Sequence, residues 1–165
     1  MTERMNHTLP PARDRHFEDY PAGAVFDLGS FALSEQEIVA FATRYDPQSM
    51  HTDRDLAEHG PFGGLIASGW HTIAALMRLI VRNFLPEAGL VSPGIDELRW
   101  LLPVRPDVTM RVRATITDVR RSRSRPDRGL VTSFVEVLNE AGEPALTMRP
   151  MNFVRCRPDS PAAPG

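Results

Sequence analysis

Lysine is absent from the 165-residue chain, and all 19 basic residues are arginine. A Schiff-base mechanism on a lysine amine is therefore impossible, and a Walker-type phosphate loop would lack its lysine. Cysteine occurs once, as Cys156, which excludes an internal disulfide and fits a reducing compartment; a cytoplasmic location is expected. Charge of one sign is not in excess. The 19 basic and 21 acidic residues leave a net charge of −2, which argues against a general polyanion or nucleic-acid binder while leaving a local basic pocket open. Long hydrophobic runs are also missing. The most apolar stretch, Trp70–Leu85, is interrupted by His71, Arg78, Arg82 and Asn83 and falls short of the roughly 20 apolar residues that span a bilayer, so no membrane partner is expected. The N-terminus, MTERMNHTLPPARDRH, has no apolar signal core.

What remains is ordinary globular composition, with 42% hydrophobic and 24% charged residues. We expect a flexible N-terminal segment (1–16), one domain (17–157) and a loose proline-containing tail (158–165). Val25–Leu33 reads as a strand. Ser34-Glu35-Gln36-Glu37 fits a capping box opening a helix that runs to about Arg44, and Pro47 stops it. Thr52–Glu58 reads as a short helical turn and Gly60–Gly64 as loop. In Trp70–Phe84 the apolar residues cover nearly the whole circumference, so this helix should be buried, with Ile73, Met77 and Ile80 inside.

Beyond Gly94 the period changes. Val108–Val119 sets Val108, Met110, Val112, Ala114 and Ile116 against Thr109, Arg111, Arg113, Thr115 and Thr117, the alternation of a half-buried strand. Asp96–Leu102, Leu130–Leu138 and Ala145–Arg155 read as three more strands, and Pro150 assigns the last to an edge or bulge. Segregated helices and strands predict an α+β fold with an antiparallel sheet wrapped around a long central helix.

The segment Tyr45–Gly69 carries the chemistry. Asp46 and His51 stand five residues apart across Pro47, so a carboxylate and an imidazole can converge on one water. Ser68-Gly69 opens the buried helix, whose free N–H groups suit a developing oxyanion.

These residues resemble a known family. Asp46-Pro47-Gln48-Ser49-Met50-His51-Thr52-Asp53, followed by Phe62-Gly63-Gly64-Leu65-Ile66-Ala67-Ser68-Gly69, is similar to the signature of MaoC-like dehydratases, the (R)-specific enoyl-CoA hydratases. The family pattern is Asp-x-Asn-Pro-x-His-x-Asp, then a phenylalanine, then Ile-x-x-Gly. Gln48-Ser49 stands where the pattern has Asn-Pro, and Ser68 stands where a histidine or similar residue is often found. The resemblance implies a hot-dog fold, edge-to-edge homodimers or higher homo-oligomers, and addition of water to a trans-2-enoyl thioester. It implies Asp46 and His51 as the acid/base pair and Gly69 as the carbonyl donor. Phe62, Gly64, Ser68 and His71 are candidate substrate-binding residues. Neither a metal nor a redox cofactor is implied, and coenzyme A is part of the substrate.

Other readings stay open. His71 either lines the site or is a satisfied structural histidine. Asp53 and Asp55 read as capping or solvated residues rather than metal ligands. Arg120, Arg121, Arg123, Arg125 and Arg128 are either a solvated hairpin or a contact for coenzyme A phosphates. The alternatives to a hydratase are a hot-dog thioesterase and a non-catalytic acyl-thioester-binding module.

Overall fold

The computed structural model describes residues 9–158; residues 1–8 and 159–165, which hold much of the two expected flexible segments, lie outside the described residues. The chain runs β1 (Val25–Phe31), α1 (Glu35–Tyr45), α2 (Ser49–Thr52), α3 (Arg54–Glu58), α4 (Gly69–Asn83), β2 (Gly94–Trp100), β3 (Met110–Arg121), β4 (Arg128–Leu138) and β5 (Pro144–Arg155). The capping box forms as expected: Glu37 N–H donates to Ser34 Oγ, and Ser34 N–H donates to the Glu37 carboxylate. The single turn expected over 52–58 is instead two short helices. Asp53 is extended between them, and its carboxylate caps the second by accepting from Leu56 N–H at 3.0 Å.

All strand pairs are antiparallel, in the order β1-β3-β4-β5-β2. In β3 the inward residues Met110, Val112, Ala114 and Ile116 are buried, as the alternation requires. A bulge between Ile116 and Asp118 then shifts the phase, so that Val119 rather than Asp118 packs against the core.

Pro150 corrects the expectation for the last strand. β5 is an inner strand, flanked by β4 and β2. The proline is accommodated by a local break: β4 and β5 pair at Thr132–Met151 and again at Val135–Met148, with no pairing between them. A missing N–H costs this sheet one short interruption and not its position in the interior. Ser133, which faces the core in that gap, is fully buried, and its hydroxyl finds no partner.

Helix α4 lies across the sheet, with Ala75, Leu76, Leu79 and Ile80 in one core with Val112, Ala114, Val135, Val137 and Leu146. Its expected all-round burial is only partly met. Ile80 is buried and Ile73 half-buried, but Met77 is 45% exposed, in a row with Trp70 (59%) and Val81 (55%). The strands cover one side of the helix and Phe41 of α1 packs on His71, while the row of Trp70, Met77 and Val81 stays open among the described residues. At the far end Phe84 packs edge to face on both Tyr20 and Phe26, and the Tyr20 hydroxyl donates to the Phe84 carbonyl; burial pushes this phenol up to about 12. Packing begins before residue 17: Ala12–Asp14 forms a 3-10 turn with Ala12 buried, and Arg15 donates to the Asn83 carbonyl at the end of α4.

The gap opposite Pro150 yields a test. Ser133→Ala removes a buried hydroxyl that has no partner, so it should raise stability by up to about 1 kcal/mol in urea unfolding. A loss of stability would mean that the hydroxyl is bonded after all.

Candidate active site

Pro47 ends α1 and leaves Asp46 at its C-terminus. The chain then folds back through Gln48 N–H to the Asp46 carbonyl (2.7 Å), and α2 raises His51 into the interior, where it is 5% exposed. His51 Nε2 stands 3.5 Å from Asp46 Oδ2. The other ring nitrogen, Nδ1, lies 2.8 Å from the Ile66 carbonyl oxygen. A carbonyl only accepts, so Nδ1 carries the proton, and in the neutral ring Nε2 presents a lone pair beside Asp46.

Both Asp46 oxygens are held. Gln48 Nε2 donates to Oδ1 at 2.8 Å, and Ser68 Oγ donates to Oδ2 at 2.7 Å. These bonds favour the charged form. They hold the carboxyl below its ordinary 3.8, Gln48 first and Ser68 second, with a smaller pull from His51 and with burial opposing. Gln48 thus does work at the position where the family pattern has asparagine. Ser68, fully buried, is the N-cap of α4 and accepts from Trp70 N–H while donating to Asp46.

Gly69 is the first residue of α4, and among the described residues its N–H has no hydrogen-bond partner. A Cβ built at Gly69 would lie 2.3 Å from Trp100 Nε1, so a side chain there would have to displace the indole. Asp46, His51 and Gly69 border one cavity of about 360 Å³, together with Gln48, Met50, Phe62, Ile66, Trp70, Trp100 and the segment 101–104.

The structure thus brings together Asp46, His51, Gly69 and Phe62, with Ser68 directly behind them. It does not bring in Gly64 or His71. Gly64 sits at φ +143°, with its backbone beside the Arg105 guanidinium. His71 points the other way round α4 and stacks flat on Phe41 at 4.5 Å; burial lowers its pKa, with Glu37 opposing. The arginine run is also elsewhere. It forms the β3–β4 hairpin, whose Arg128 pairs with Arg155 at one end of β5, whereas the cavity touches Ala145 at the other end, ten residues or roughly 33 Å away. Sequence reasoning missed Trp100, Ile66 and Met50. Trp100 lay inside the expected strand 96–102 with nothing to tie it to Gly69, and a backbone carbonyl such as that of Ile66 leaves no signal.

A family model described as "MaoC like domain" matches residues 19–137. A crystal structure described as the MaoC-like dehydratase from Rhodospirillum rubrum is 40% identical, with a TM-score of 0.82 over 87% of this chain and 99% of that one. The uncharacterised protein YdeM of Bacillus subtilis is 29% identical over 124 residues, 74% of this chain and 86% of its own. The 3-hydroxyacyl-thioester dehydratase Z of Mycobacterium tuberculosis is 35% identical over 86 residues, 50% of this chain and 56% of its own.

Two measurements check the geometry without any substrate. Gln48→Leu and Ser68→Ala each remove a donor to the charged carboxylate, so each should raise the Asp46 pKa towards 3.8 in a carboxyl-carbon NMR titration. By linkage, the stability from these bonds is present above the ordinary carboxylate pKa and is lost as pH falls through the lowered one. Gly69→Ala should displace the Trp100 indole, visible as a changed tryptophan emission maximum in a folded protein.

Proposed function

Because the chain belongs to the MaoC-like family and has the hot-dog fold, we propose that it adds water across the C2=C3 bond of an enoyl-CoA thioester, or removes water from the 3-hydroxyacyl thioester. The observation that carries this reading is that Asp46, His51 with Nε2 3.5 Å from its carboxylate, and Gly69, whose N–H has no partner among the described residues, line one cavity.

The thioester carbonyl oxygen accepts from Gly69 N–H at the positive end of α4, which draws electron density from C3 and stabilises the enolate formed at C2. The attacking water donates one hydrogen to Asp46 and the other to His51 Nε2. Its hydroxyl bonds C3 while Nε2 takes the second proton. The imidazolium so formed lies beside an ionised carboxylate. It then returns the proton to C2, and hydroxyl and hydrogen have both been added. Because Asp46 is held ionised and Nδ1–H is committed to Ile66, Nε2 is the base of the pair. Coenzyme A enters as part of the substrate, and the chemistry calls for no further cofactor. The dehydratase activity named for the Mycobacterium tuberculosis relative is the reverse of this reaction.

The test is hydration of a short trans-2-enoyl-CoA, followed by loss of the conjugated thioester absorbance. General acid–base groups contribute about 10²–10⁴-fold, so Asp46→Asn and His51→Ala should each slow turnover by at least about 100-fold. The double variant should lose less than the product of the two, since both groups act on one water. Hydrolysis to free thiol with the double bond intact would replace this reading with a thioesterase. Tight binding without reaction, the same in Asp46→Asn, would replace it with a binding module.

The exposed row Trp70, Met77 and Val81, beside the unpaired outer edge of β2, leads us to expect a homodimer; light scattering that gives a monomer at micromolar concentration would overturn that.

A further inference from the structure

Trp100 ends edge strand β2 and turns its indole onto the start of α4. The distances from a Cβ built at Gly69 to Trp100 Nε1, Cε2 and Cδ1 are 2.3, 2.6 and 2.7 Å. A ring approached along its N–H would leave the two carbons much farther away than the nitrogen. The near-equal values mean that the face of the indole lies over the Gly69 α-carbon. The ring is held in that pose. Trp70 packs against it edge to face at 5.5 Å and 71°. Its own backbone pairs with Leu146, and the next residue, Leu101, donates to the Ala145 carbonyl at 2.8 Å. Trp100 is nevertheless 47% exposed and borders the cavity that Asp46 and His51 line.

A carbonyl that accepts from Gly69 N–H would stand next to the α-carbon on which this ring lies. An enoyl thioester is flat from the carbonyl through C2=C3, because conjugation holds those atoms in one plane. A saturated acyl thioester has no such plane. We propose that Trp100 is a substrate-positioning residue: its indole forms the flat wall on which the conjugated thioester lies while Gly69 binds its carbonyl. This rests on the hydratase reading and assigns to Trp100 the discrimination between conjugated and saturated acyl groups.

The chain has two tryptophans, so Trp70→Phe leaves Trp100 as the sole tryptophan, excited selectively at the red edge of the indole band. In the Asp46→Asn/Trp70→Phe protein, crotonyl-CoA added and read before turnover should quench emission saturably. Butyryl-CoA at its own saturation should quench several-fold less. In the otherwise unaltered chain, Trp100→Leu should raise the KM for crotonyl-CoA by about 2- to 12-fold, the range of one aromatic stacking contact, with a smaller change in kcat. Trp100→Phe keeps an aromatic face and should stay within about 2-fold. Equal quenching by the two thioesters overturns the proposal, as does an unchanged KM in a folded Trp100→Leu protein, or a Trp100→Phe variant as impaired as the leucine one. In each of those cases hydration by the unaltered enzyme leaves the functional reading standing. If the unaltered enzyme neither hydrates nor binds crotonyl-CoA, both fall. Should Trp100→Leu fail to fold, the quenching comparison decides alone.

Discussion

The hydroxyl of Ser68 joins the parts of this site. It is fully buried between two elements that otherwise meet through the stack of Phe41 on His71: the end of α1, which carries Asp46, and the start of α4, which carries Gly69. One oxygen accepts from Trp70 N–H and donates to Asp46 Oδ2. The first bond is an ordinary helix cap, of the kind that stabilises a helix by about 1 kcal/mol. The second converts that cap into a positional constraint, because the carboxylate can lie only where a capped α4 places the hydroxyl. Asp46, with His51 beside it, and Gly69 are thereby referred to one point. A buried hydroxyl with both its donor and its acceptor capacity used has little freedom to rotate away.

The sheet plays a more permissive part. Its bulges at Ile116/Asp118 in β3 and Asp27/Gly29 in β1 change which side chains face α4 without breaking the layer. The Gly29 bulge sits where Asn83, at the end of α4, donates to the Leu28 carbonyl at 2.8 Å, so the helix is tied to the sheet at its C-terminus as well. Pro150 shows the same tolerance. An inner strand absorbs a missing N–H when the pairs on either side of the gap keep register.

Local signals were legible in the sequence and relational ones were not. The Ser34–Glu37 box, the stop at Pro47 and the alternation in β3 each depend on residues within a few positions of one another, and each matches the structure. Asp46, His51 and Gly69 were legible because their motif is compact and matches a family pattern. His71 shows the limit. It is two residues from Gly69 in sequence, but successive helical positions turn by about 100°, which carries it round α4 onto Phe41. Met77 fails for another reason: an all-round apolar helix says that cover is needed but not that one chain supplies it. Trp100 and Ile66 lie 31 and 3 residues from Gly69, and neither spacing says that a ring or a carbonyl ends up in the site.

The division of labour in the pair follows from what each group is already bonded to. Two donors on Asp46 make its carboxylate a weaker base than an ordinary aspartate, which on its own would argue against using it near a water. The Ile66 carbonyl removes the ambiguity of the imidazole by committing Nδ1–H, so that the lone pair of Nε2 faces Asp46 and the cavity. A weakly basic carboxylate next to a committed imidazole stays charged when the imidazole takes a proton. In the proposed reaction the Nε2 that holds the proton during the addition stands 3.5 Å from that carboxylate. The bonds from Gln48 and Ser68 therefore leave the proton to His51 Nε2 in that reaction, and they act on its transfer only through Asp46, without touching the proton.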